Sequence, residues 1–108
     1  LDARSNARFY GQMPEPRTGV RSGHMPGAIN IPYSELLSSG KLKPVDELLE
    51  IITKNPSEIQ RQIMTCGSGI TACILALAAS MIGNKTISVY DGSWSEWGQD
   101  NGLPVTKE

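Results

Sequence analysis

The chain has little sulfur and almost no imidazole. Its 108 residues include two cysteines, Cys66 and Cys73, and a single histidine, His24. Two cysteines are too few for a disulfide scaffold, and their spacing matches no usual zinc or dithiol pattern. One histidine leaves an all-protein zinc site unsupported, so neither a metal nor a cofactor is expected. The cysteines read instead as one reactive thiol and one buried thiol. That favours a reducing compartment, the cytoplasm or, in a eukaryote, the mitochondrion.

Charge bias is also missing. Ten Lys and Arg nearly balance eleven Asp and Glu, for a net charge of -1. This offers no case for nucleic acid or an anionic membrane as partner. Long apolar runs are absent too. The longest unbroken one, Ala72 to Ala79, is far too short to cross a bilayer. Nothing resembles a signal peptide. The chain opens on Leu1, and the expectation is a piece of a longer protein with part of a first strand lost.

What is present suits one globular domain over residues 1–108, with an apolar share of 39%. Residues 10–27 are rich in Gly and Pro and lack periodicity, so they read as a long loop. Ile29 to Ile31 reads as a short strand. Pro44 suits the first position of a helix, where its missing N–H costs nothing. Val45, Leu48, Leu49 and Ile52 would form that helix's apolar face.

Ile63-Met64-Thr65 reads as a buried strand ending at Cys66, followed by the turn Gly67-Ser68-Gly69. Ile70 to Ile82 is helical by pattern and almost wholly apolar, which predicts a buried helix stopped by Gly83-Asn84. Cys73 falls on its Ile70-Ile74-Leu77 stripe and is expected in the core. Ile87 to Tyr90 is the next strand. After the turn Asp91-Gly92, Ser93 and Glu96 are spaced as a capping box. Strands alternating with helices predict an α/β fold, a mostly parallel sheet with helices on both faces.

The informative segment is Cys66-Gly67-Ser68-Gly69-Ile70-Thr71. It puts a cysteine at the carboxyl end of a strand, the edge where open α/β sheets bind ligands. Two glycines allow positive φ and let backbone N–H groups curl inward, an anion nest at a helix N-terminus. A thiolate there is stabilised, and its pKa should fall. The alternative is a structural cysteine in a strand-to-helix turn. A Cys66–Cys73 disulfide would have to link the loop to a buried helical turn, which geometry disfavours.

Several motifs resemble the rhodanese superfamily. Gly23-His24-Met25-Pro26-Gly27-Ala28 with Asn30-Ile31-Pro32 is similar to its first signature. Tyr90-Asp91-Gly92-Ser93-Trp94-Ser95-Glu96-Trp97 is similar to its second. Asp2-Ala3-Arg4 and Pro14-Glu15-Pro16-Arg17 match the C-terminal catalytic domain of tandem sulfurtransferases. The resemblance implies a rhodanese-like three-layer fold. Within the family, thiosulfate enzymes carry Arg and Lys directly after the cysteine. Mercaptopyruvate enzymes carry Gly-Ser-Gly-Val-Thr, which this chain matches except at Ile70.

The resemblance therefore implies a sulfurtransferase with 3-mercaptopyruvate as donor and Cys66 as carrier of a persulfide. Arg8 and Arg17 would bind the donor's carboxylate and keto oxygen, in keeping with guanidinium chemistry. Ser68 would help polarise the donor, with an Asp and a His from an N-terminal rhodanese-like domain. The acceptor would be a thiol, such as that of a thioredoxin-type protein, or cyanide. A thiosulfate donor and a carrier module loaded by a protein partner are the alternatives. A phosphatase on this fold would end its longer loop in an arginine, where this chain has Thr71. His24 is expected to be architectural, Trp94 and Trp97 to pack, and Asp2 and Arg4 to tie a strand end to its loops.

Overall fold

The computed structural model describes residues 1–53 and 61–108. In chain order the elements are helix α1 (Asn6–Phe9), a 3-10 turn (Tyr33–Leu36), strands β1 (Leu37–Ser38) and β2 (Lys41–Leu42), and helix α2 (Val45–Ile52). Strand β3 (Gln62–Met64), helix α3 (Ala72–Met81), strand β4 (Ile87–Val89) and helix α4 (Ser93–Trp97) follow.

The sheet is built from short pieces. β3 and β4 pair in parallel, with Met64 opposite Val89. Residues 1–3 run alongside β3, and Asp2 bridges in parallel to both Thr65 and Asn30. Ala3 N–H donates to Thr65 O at 2.8 Å, and Asp2 N–H to Ile29 O at 2.9 Å. The expected strand at Ile29–Ile31 is thus a single bridge flanked by two ladder bonds. The lateral order is residue 30, residue 2, β3, β4.

Side-chain alternation sorts the two faces. Ala3, Met64 and Cys66 point to one face and join Leu48, Ile52, Leu75, Ala78 and Ala79 of α2 and α3 in the main core. Asp2, Arg4 and Thr65 point to the other. There the Arg4 guanidinium lies over the Trp94 ring of α4, 4.5 Å from its centroid. Helices therefore cover both faces, as expected for the α/β class. α4 is short and covers only the carboxyl end. This leaves Ile63 51% exposed, a correction to the reading of residues 63–65 as wholly buried.

Three other expectations are corrected. First, α3 buries Ala72, Leu75, Ala78 and Ala79, not the stripe Ile70-Ile74-Leu77. Ile70 is 75% and Leu77 54% exposed, and Cys73 is exposed with them. A helix apolar on every side carries no phase in its sequence. Here the alanines turn inward, where small side chains allow close packing. Second, Pro44 is the residue before α2 rather than its first, and Leu48 and Ile52 alone are buried while Val45 and Leu49 are exposed.

Third, Ser93 is no cap. It has φ +50° and lies inside α4, and no side chain caps that helix. Some elements went unread: α1, the 3-10 turn, and β1 with β2, which form an antiparallel hairpin across Ser39 (φ 53°) and Gly40 (φ 77°). Two central residues at positive φ match the right-handed twist of such a hairpin. Among the described residues, no helix is long and apolar enough to cross a membrane.

Candidate active site

Cys66 sits where β3 gives way to the glycine turn, at the carboxyl edge of the sheet. Its side chain is 1% exposed. Gly69 N–H donates to Cys66 Sγ at 3.0 Å. Burial pushes the thiol up. Hydrogen bonds from the Thr71 hydroxyl and from the N–H groups of Ala72, Gly69 and Ser68 outweigh that and hold it below its ordinary value of 9.0.

The nest is shaped as much by α4 as by glycine. Trp94 N–H and Ser95 N–H, free donors in the first turn of α4, donate to Cys66 O and Gly67 O at 2.9 Å each. With the carbonyls held there, the loop's N–H groups turn to the sulfur. Of the two glycines, Gly69 alone takes a positive φ, +97°. Gly67 does not, which corrects the expectation for that position.

Ser93 completes the frame. Its hydroxyl donates to Tyr90 O at 2.8 Å and accepts from Cys66 N–H at 3.1 Å. The Thr65 hydroxyl also donates to it, at 3.2 Å. The sequence reading missed this role because the Ser93–Glu96 spacing mimics a cap.

A pocket of about 200 Å³ opens beside the loop, lined by Arg8, Glu15, Arg17, Gly67, Ser68 and Ser95, among others. The structure thus brings together Arg8 and Arg17, which are nine residues apart in sequence, with Gly67 and Ser68. The last turn of α1 presents Arg8, and the Ser5 hydroxyl caps that helix on Arg8 N–H. Arg17 comes from the loop, and among the described residues none hydrogen-bonds to it. Ile70 faces solvent. His24 is buried, stacks on Phe9 at 3.6 Å between ring centroids, and bonds Phe9 O through Nδ1 at 2.7 Å. Its role is architectural, as read from sequence.

Behind the pocket runs a ladder of alternating charge. Arg4 Nη2 meets Asp2 Oδ2 at 2.8 Å and donates to Gly23 O at 2.7 Å. Arg4 Nη1 lies 3.5 Å from Glu15 Oε1. Glu15 accepts from Arg8 Nε at 3.1 Å and from Arg8 Nη2 at 2.8 Å. Exposure rises from 0% at the Arg4 side chain to 25% at Arg8. The Glu15 contacts raise the Arg8 pKa, so its charge is fixed.

Residues 1–100 match the rhodanese-like domain. The chain belongs to that family. Over 106 residues this rhodanese-like domain is 45% identical to the 3-mercaptopyruvate sulfurtransferase of Escherichia coli, covering 97% of the chain and 38% of that protein. It is 44% identical over 107 residues to the mitochondrial thiosulfate/3-mercaptopyruvate sulfurtransferase 1 of Arabidopsis thaliana, covering 97% of the chain and 28% of that protein. Its fold superposes with a TM-score of 0.85 on the sulfur transferase subunit of yeast mitochondrial complex I, at 40% identity over 99% of this chain and 37% of that one. The chain therefore spans about a third of the length of these relatives.

Proposed function

We propose that this rhodanese-like domain carries sulfur on Cys66 as part of a sulfurtransferase, with 3-mercaptopyruvate as donor. The observation that supports this most is the pairing of a hydrogen-bonded, low-pKa Cys66 with a pocket that holds Arg8 and Arg17. A thiol held below its ordinary value supplies more thiolate at any given pH. Two guanidinium groups suit a planar carboxylate next to a keto oxygen.

In the first step the Cys66 thiolate attacks the donor's sulfur. A sulfur–sulfur bond forms, the donor's carbon–sulfur bond breaks, and its electron pair leaves on carbon. That enolate takes the proton the donor's thiol gives up and becomes pyruvate. In the second step an acceptor thiolate attacks the outer sulfur and restores Cys66. The nest that holds a thiolate also suits the persulfide anion. Ser68, which lines the pocket, would help polarise the donor. An upstream rhodanese-like domain, of the kind the longer relatives have room for, would supply further acid–base groups.

Thiosulfate is the second reading, favoured by the printed name of the plant relative. The neutral Gly67-Ser68 loop and the two arginines favour the keto acid. Incubation with either donor, followed by intact mass and pyruvate release, tests the choice. The expected result is gain of one sulfur on Cys66 and release of pyruvate from 3-mercaptopyruvate. Sulfur mapped to Cys73 alone, or no loading by either donor, overturns the proposal.

A further inference from the structure

Glu15 has no role in the chemistry proposed above, yet it is placed as if it had one. Its side chain is 3% exposed although it borders the pocket. Both carboxylate oxygens face Arg8, and one is also 3.5 Å from Arg4 Nη1. That nitrogen is buried and has no hydrogen-bond acceptor among the described residues. Arg4 itself cannot move. It is gripped by Asp2, by Gly23 O and by the Trp94 ring. Glu15 is therefore anchored on the sheet side and holds Arg8 on the pocket side. A guanidinium has five N–H donors. Glu15 uses two of them, which fixes the plane of the group and leaves the others for a donor.

Gly67 closes the argument. Its φ is not positive, so its backbone accepts any residue. A Cβ added there, however, would lie 2.7 Å from Arg8 Nη2. An arginine tip would normally swing aside from such a contact. This one is held by two charge-assisted bonds, which are stronger than neutral ones.

We propose that Glu15 is a positioning residue that pins the Arg8 guanidinium over Gly67, and that the bare glycine is the space reserved for it. The three residues then form one specificity unit. A side chain at position 67 displaces Arg8 and with it the grip on a donor's carboxylate, before any charge it carries matters. This rests on the functional reading above and adds the reason why the loop's first residue and donor choice go together.

The test uses the whole chain with the variants Glu15→Gln, Gly67→Ala and Arg8→Ala, singly and in pairs. Persulfide loading is followed against the concentration of 3-mercaptopyruvate and, separately, of thiosulfate, which has no carboxylate. Glu15→Gln and Gly67→Ala should each raise the mercaptopyruvate concentration for half-maximal loading about 10-fold, with little change in maximal rate. Loading by thiosulfate should fall clearly less than loading by 3-mercaptopyruvate in both variants. In an Arg8→Ala background neither substitution should add a further loss.

The Arg8 Nε–H NMR signal supplies a readout independent of turnover. It should be sharp and slow to exchange in wild type, lost in Glu15→Gln and shifted in Gly67→Ala. Additive losses, equal losses with both donors, or an unaltered Arg8 signal overturn the proposal. A wild type that neither donor loads overturns the functional reading alone, and the NMR signal still decides whether Glu15 pins Arg8.

Discussion

At Cys66 two opposing effects meet on one sulfur. Burial raises the pKa, and four hydrogen bonds lower it further than burial raises it. Removing the Thr71 hydroxyl takes away one of the four. Thr71→Val should therefore move the pH midpoint of Cys66 alkylation upward, toward 9.0. A midpoint that stays or falls contradicts the assignment. The same shift couples to stability. The folded pKa is depressed, so the fold gains stability as pH rises from that value toward the ordinary thiol value, and loses it as pH falls back. Cys66→Ser should remove this pH-dependent increment from denaturant melts.

Arg8→Ala and Arg17→Ala should each cost roughly 1.5–3 kcal/mol in use of 3-mercaptopyruvate, about 10- to 100-fold in kcat/KM. Normal kinetics in both would remove them from donor binding. The nest around Cys66 was legible because glycines after a strand have a local backbone meaning. Glu15 was not. It was visible only as part of Pro14-Glu15-Pro16-Arg17, and its contacts to Arg4 and Arg8 depend on the course of a loop.

Helix α3 shows what an element's sequence conceals. Its stop was readable, since Gly83 (φ 95°) ends it where expected, while its start lies at Ala72 rather than Ile70. Its rotation was not, since apolar residues lie all round and only packing chooses a side. The amphipathic α2 gave its buried pair, Leu48 and Ile52, more plainly. The rotation has a measurable consequence. Leu75→Ala removes a fully buried side chain and should cost about 2–5 kcal/mol. Leu77→Ala, on the exposed side, should stay within about 0.5 kcal/mol. Equal losses in chemical denaturation would mean that α3 is turned differently.

In α4 the error had another source. Ser93 spends its hydroxyl on Cys66 N–H and Tyr90 O, although a positive φ costs a non-glycine residue about 1 kcal/mol. The hydrogen bonds that frame Cys66 offset that strain. A short-range pattern cannot reveal a bond to a residue 27 positions away.

For the molecule as a whole, the parallel α/β layering was legible from the alternation of elements. The lateral order of the strands was not, because it depends on contacts between distant segments. Residues 1–3 occupy an inner place in the sheet, bonded on both sides. Amide exchange should show Ala3 N–H among the slowest, near the global unfolding limit. Rapid exchange there would place the segment at a frayed edge instead.

That inner place also sets the timing of folding. The neighbours of the first residues lie 28 and 62 positions further along the chain. Closing loops of that length is slow compared with forming a helix, so the sheet forms through distant encounters. Residues 1–3 must wait until β3 has emerged from synthesis, although they precede it in the chain. They are thus late to find their place, and the nest that ends β3 is backed by the full sheet only once they do.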